Sequence, residues 1–263
     1  MRIVVLVKPV PDPASAGERL DADARLDRAS VPAVVNGNDE FALEAALKLI
    51  ATAGEGEITL LSMAPTSAPE TLRKGLAMGA HRGVHVTDPA LVGSCAVSTA
   101  TVLAAALRKL EYDMVFAGIE ASDGIGGIVP AAVAAHLGLP FMSYAAAIEP
   151  DMAARTVQVR RISPTGYDLL EAPMPALIAG TQALGEPRYP SLKGIMAARN
   201  KEIVTWSLAD IGLDAGSVGT AVATTTVLDI RMPPARAATE IVRGTPAEGA
   251  GRIVDFLVER RII

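Results

Sequence analysis

At 263 residues, half of them hydrophobic, the chain can bury a large core in one α/β domain with an appendage, without help from disulfides. Aromatic residues make up 3% and the formal net charge is -5, so the stacking platforms and cationic footprints that nucleic-acid binding requires are missing and nucleic acid is not an expected partner. The single cysteine, Cys95, cannot form an internal bridge; a reducing, cytoplasmic setting is expected, with Cys95 as a buried structural thiol.

The N-terminal stretch MRIVVLVKPVPDP sets Arg2 and Lys8 around an apolar run too short for a membrane span or a signal segment, so Ile3 to Val7 is a predicted strand. Residues 9–38 contain four prolines and many charges and form a long excursion over one edge. A helix is predicted over Asp39 to Thr52, with Leu43, Leu47 and Ile50 on one face, Glu44 set to pair with Lys48, and Asn38 as its cap. Glu57 to Met63 is the second strand, and Ser67 with Glu70 forms a predicted capping box for a helix carrying Leu72 and Leu76 to a stop at Gly79. Val84 to Val86 is the third. A helix over Ala96 to Leu110 leads to a fourth strand, Met114 to Ala117. Ligands in such sheets sit beyond the carboxyl ends of the strands where the order reverses, here between the first and fourth strands.

The fourth strand runs into a loop with Gly118, Gly124, Gly126 and Gly127 that opens a helix at Pro130. Such a turn leaves backbone N–H groups free at a positive helix end, where phosphate oxygens are natural partners. Its spacing is neither GxGxxG nor a lysine-bearing P-loop, so a phosphate cradle and a plain strand-to-helix turn both stay open. Further on, ARTVQVRRIS and TGYDLLEAP read as a hairpin turned at Pro164 to Gly166, and PALIAGTQ returns to the core as a strand. The last sixty residues, with Pro233 and Pro234, have too little apolar periodicity for a core of their own. The expected organisation is an α/β domain over residues 1–206, with an open, mostly parallel sheet, helices on both faces and a β-hairpin insertion. An extended C-terminal arm over 207–263, closing in a helix that ends RIVDFLVERRII, then lies on another surface, in cis or on a partner chain. His81, His85 and His136 show no ligand spacing, so no metal is expected; Asp123 reads as turn chemistry, and Arg82 as one half of an interface or surface ion pair.

Five stretches in order, VKPVPD, NGNDEFALEAAL, LRKGLAMGAHRGVHV, DMVFAGIEASDGIGGIVP and EPRYPSLKGIMAARNKEI, resemble the small, or beta, subunit of electron-transfer flavoproteins over about residues 1–206. The resemblance implies an adenine nucleotide hydrolase-like sheet that binds AMP structurally and pairs with a large alpha subunit carrying the FAD. It places AMP at Leu6, at Asn36, Gly37, Asn38 and Asp39, near Met63, and along Gly118, Ile119, Glu120, Ala121, Ser122, Asp123, Gly124, Ile125, Gly126, Gly127, Ile128 and Val129. Many relatives carry Gln where Glu120 stands, and a carboxylate there cannot donate to phosphate as an amide can. The segment Pro187, Arg188, Tyr189, Pro190, Ser191, Leu192, Lys193, Gly194, Ile195 and Met196 resembles a loop that docks dehydrogenases, such as acyl-CoA dehydrogenases, through an exposed leucine, Leu192 by position. Without the resemblance, Leu192 reads as a cap on the local core. Arg188, Lys193, Arg199 and Lys201 make its surroundings basic, suited to an acidic partner face or simply to solvent. The function implied is an electron-carrier subunit with no catalytic residue and no membrane insertion. The alternatives are a bifurcating form with a second FAD in the AMP site and a nucleotide-sensing module without redox role. A hydrolase on the same sheet needs a Ser-Gly-Gly loop after the first strand, which VKPVPDP is not.

Overall fold

A computed structural model describes residues 1–15, 19–28, 30–231, 234, 239 and 241–263. The described chain falls into two compact units, Met1–Val227 and Leu228–Ile263.

The first unit opens with β1 (Arg2–Leu6), followed by an excursion in which β2 (Pro9–Pro11) pairs antiparallel with β3 (Ala33–Val35). Then α1 (Gly37–Ala53), β4 (Glu57–Met63), α2 (Ala68–Met78), β5 (Arg82–Val86), α3 (Ala96–Leu107), β6 (Met114–Gly118) and α4 (Val129–Leu137) alternate. An antiparallel run follows, β7 (Phe141–Asp151), β8 (Thr156–Ser163) and β9 (Gly166–Pro173), the last two forming the predicted hairpin. β10 (Ala176–Gly180) returns to the core, and α5 (Leu192–Ala198) leads to β11 (Ile203–Trp206), an edge strand the sequence reading did not separate out.

The nine-stranded sheet has the order β11-β5-β4-β1-β6-β10-β7-β8-β9, parallel from β11 to β7 and antiparallel beyond. The chain builds outward from β1 through β4 to β5 and then returns to place β6 on the other flank of β1. The predicted reversal between the first and fourth strands is therefore present. Alternation along β1 explains why both faces are dry: Ile3, Val5 and Val7 enter a core with Leu43, Leu47, Leu72 and Leu76 of α1 and α2, while Val4 and Leu6 enter a second core with Val102, Leu103, Leu107 and Val133 of α3 and α4. Near the far edge β7 carries a bulge at Ser143 and Tyr144, with Tyr144 at φ 53°, where it leaves β10 for β8.

Three local readings change. The cap of α1 is Asn36 rather than Asn38, because the helix starts two residues earlier, at Gly37. Ser67 precedes α2 with helical angles, φ -77° and ψ -13°, and makes no capping bond; a side chain caps from an extended backbone, so the capping box does not form there. α3 ends at Leu107, three residues short of Leu110. The compact unit also runs past residue 206: Leu208, Ile211 and Val218 are buried in the second core.

The second unit holds α6 (Pro246–Glu259). Thr245 caps it in a true capping box, its hydroxyl accepting from Glu248 N while the Glu248 carboxylate accepts from Thr245 N at 2.7 Å. None of its residues is buried, and Ile253, Val254, Phe256 and Val258 are exposed. Of the two prolines singled out in the tail, Pro233 lies outside the described residues.

Candidate functional site

The loops after β1 and β6 meet beyond the sheet, and a buried carboxylate joins them. Asp39, 6% exposed in the first turn of α1, accepts from Lys8 N at 2.8 Å through one oxygen and from Gly118 N at 3.1 Å through the other. Burial drives its pKa up to about 7, against the opposing pull of these N–H groups and the neighbouring Asn36 amide. Gly118 is required by this contact, since a Cβ there would stand 2.4 Å from the Asp39 carboxylate and 2.6 Å from Asn38 Cβ. Its missing side chain serves the packing of α1 on β6.

Asn36 makes no capping bond because its amide is spent on the loop. Its Oδ1 accepts from Ser122 N at 3.2 Å, and its Nδ2 donates to the Glu120 carbonyl at 2.9 Å, where Asn38 Nδ2 also donates at 3.1 Å. Asn36 and Asp39 are thus the buried frame of the loop, while Gly37 is exposed and Asn38 half-buried. Asp123 is another anchor. Its side chain is 1% exposed, with Lys8 Nζ at 2.7 Å on one oxygen and Arg28 Nη2 at 2.7 Å on the other. Burial alone would raise its pKa, but these two cations outweigh it and hold the carboxyl below its usual value. The turn-chemistry reading of Asp123 gives way to a buried ion-pair hub spanning β1, the excursion and the loop.

The rest of the predicted loop is open. Gly124, Ile125, Gly126, Gly127 and Ile128 are exposed, with Ile125 at φ 45° and Gly127 at φ 59°. A Cβ on Gly124 or Gly126 would meet nothing closer than 3.9 Å. Among the described residues, the N–H groups of Gly126, Gly127, Ile128 and Val129 find no acceptor, and they stand where α4 begins, with Pro130 in its first turn. Leu6 and Ile119 are buried, Leu6 in the second core, and Ile119 N donates to Gly180 O at 2.9 Å; Met63, half-buried, packs against the same core from the end of β4.

The second candidate region, Pro187 to Met196, stands on α1 and α2. Leu192 is 75% exposed and Tyr189 96%, with Ile195 and Met196 exposed beside them, so the local-core reading of Leu192 does not hold. Ser191 caps α5 by accepting from Gly194 N at 3.1 Å. α2 and α5 terminate each other: Arg73 Nη1 donates to the Ala198 and Lys201 carbonyls at 2.6 Å, and Lys201 Nζ donates to Leu76 O at 2.9 Å and Ala80 O at 2.6 Å. Arg188 grips Glu44 of α1, a side chain the sequence reading had facing Lys48, which stands 4.0 Å away. Two of the four basic residues read as surface charge, Arg188 and Lys201, are therefore committed to internal partners.

Elsewhere, Arg82 forms its ion pair within the chain, Nε to Glu57 Oε1 at 2.7 Å. Cys95 departs from expectation: it is partly exposed at the start of α3, and the Ser98 N–H and Thr224 hydroxyl, 3.5 Å from its sulfur, hold the thiol down at about 6. Sequence reasoning assigns no site role to Lys8, Arg28 or Glu44. The one local signal was an acid at position 44 inside the apolar run FALEAALKLI.

The family model described as electron transfer flavoprotein domain matches residues 23–211. An electron transfer flavoprotein subunit beta of Mycobacterium tuberculosis is 41% identical over 266 residues, covering 99% of each chain. One from Clostridium acetobutylicum is 35% identical over 264 residues, covering all of both, and a caffeyl-CoA reductase-Etf complex subunit CarD from Acetobacterium woodii is 35% identical over 266 residues with the same coverage.

Proposed function

The chain belongs to the electron transfer flavoprotein family, among its beta subunits, and from that premise we propose that it is the small subunit of a heterodimeric electron carrier. In this reading it binds AMP at the switch point, scaffolds a large subunit that carries FAD, and docks donor dehydrogenases through Leu192. It has no catalytic residue of its own. The bound flavin supplies the redox chemistry, and this chain's residues bind, orient and recognise.

The observation that carries the nucleotide reading is the row of N–H groups from Gly126 to Val129, without acceptors among the described residues and set at the start of α4. Backbone donors of this kind suit a phosphate, and the open Cβ positions of Gly124 and Gly126 leave room for close approach. Because these donors belong to the main chain, Glu120 in place of an amide does not remove them. Asn36, Asp39 and Asp123 act from behind, holding the loop in place. Among the described residues no helix is long and apolar enough to cross a membrane.

Chromatography of the ligand released by heating the purified heterodimer tests the reading. One equivalent of AMP and one of FAD are expected. Two equivalents of FAD without AMP point to the form with a second flavin, and nucleotide without flavin removes the carrier reading in favour of a nucleotide-sensing module. Gly126→Val is the informative variant, because Gly127 at φ 59° would be strained by any side chain. It should change stability by no more than about 0.5 kcal/mol, yet lose most of the bound AMP.

A further inference from the structure

Glu44 is a carboxylate 3% exposed on the apolar side of α1, and almost all of its bonding goes to one residue 144 positions away. Arg188 Nε donates to its Oε2 at 2.7 Å, Arg188 Nη2 to its Oε1 at 3.0 Å, and Arg188 N to Oε2 at 3.1 Å. Burial works against the ionised carboxyl, but the Arg188 guanidinium and N–H prevail and keep its pKa below the usual value. Three donors from one residue, two of them a planar fork, fix position and direction together, which a flexible ammonium cannot do. We propose that the Arg188–Glu44 pair is the positioning element of the docking segment: it fastens the start of that segment to α1, so that Tyr189 and Leu192 project from a set place.

The other end of the segment is already fixed. A Cβ on Gly194 would lie 2.4 Å from the Ala77 carbonyl, so α5 sits directly on the backbone of α2. Between these attachments Tyr189, Ser191 and Leu192 are exposed and Pro190 is half-buried. Without the Arg188 attachment the exposed leucine would be presented from a loop free at one end, and a partner would have to order it on binding. Arg188 therefore acts through Leu192 rather than by touching the partner. Its charge is already met by Glu44, which separates it from Lys193 and Arg199 as a source of long-range attraction.

The inference rests on the docking role proposed for Leu192, and the test keeps the two apart. The heterodimer with its FAD is titrated against an acyl-CoA dehydrogenase, reading half-saturating carrier concentration and limiting rate for wild type, Arg188→Lys, Arg188→Ala and Leu192→Ala. Hydrogen exchange of residues 186–196 is followed on the same samples without dehydrogenase. Arg188→Lys keeps the charge and removes the fork, so it is expected to raise the half-saturating concentration about tenfold, close to Arg188→Ala, with the limiting rate changed less than twofold and exchange faster in the segment. If Arg188→Lys speeds exchange but leaves half-saturation at the wild-type value while Leu192→Ala raises it, positioning is overturned and docking stands. A lysine variant like wild type in both readouts, beside an impaired Arg188→Ala, assigns Arg188 to charge attraction and also overturns it. If Leu192→Ala is silent, the docking role itself fails.

Discussion

Asp39 shows how a residue's class misleads about its job. In the sequence it stands among polar residues at a helix start, where an acid complements the helix dipole or faces a ligand. In the fold both its oxygens are taken by backbone N–H groups, and its pKa is raised from 3.8 to about 7. The consequence for stability has a definite sign. Below about 4 both states hold the proton, and the stability this group contributes relative to its ionised form is fully present. Between about 4 and about 7 the folded state keeps the proton while the unfolded chain releases it, so the stability this group contributes at low pH is lost as pH rises through that window. Asp39→Asn removes the titration. The melting temperature of wild type relative to the variant should therefore fall between about pH 4 and about pH 7, by an amount corresponding to at most a few kcal/mol; a gap that does not change with pH would show that the carboxyl does not titrate there. None of this was legible in the sequence, because Lys8 and Gly118 lie 31 and 79 positions away.

Elements were legible where one local rule decided them. Strand β4 has the predicted bounds, Glu57 to Met63, and β6 follows its apolar run to the glycine loop, since a short apolar run between turn signals leaves little choice of structure. Caps were read less well: Asn36 and Ser67 can each bond in more than one direction, and tertiary context chose for them. α5 is a case where local and tertiary preferences oppose each other. Gly194 sits within this seven-residue helix, and by propensity alone Gly194→Ala should stabilise it by about 1 kcal/mol. The added methyl would stand 2.4 Å from a backbone carbonyl of α2, which no side-chain rotation relieves. Overpacking of this kind costs about 1 to 3 kcal/mol and exceeds the propensity gain. Gly194→Ala should thus lower the melting temperature, and a variant at or above wild type would mean that α5 can shift away from α2 freely.

At the scale of the whole molecule the two units differ in how they bury apolar surface. Met1–Val227 encloses both cores, whereas α6 in Leu228–Ile263 has no buried residue despite Ile253, Val254, Phe256 and Val258. The poor apolar periodicity of the tail was visible in the sequence; that residues 207–227 join the second core through Leu208, Ile211 and Val218 was not, because Gly212, Gly216 and Gly219 interrupt that stretch and read as loop. A capped helix of 14 residues is marginal in water on its own, so most of its stability must come from covering that apolar side. If a large subunit provides the cover, amides of residues 246–259 should exchange quickly in the isolated chain and slow by orders of magnitude in the heterodimer, while amides of β1, β4 and β6 remain protected in both. Residues 207–222 should follow the strands rather than the helix, since their buried side chains belong to the first unit. Equal protection of α6 with and without the large subunit would place its cover within this chain, and fast exchange in both states would leave the helix without a structural partner in the complex.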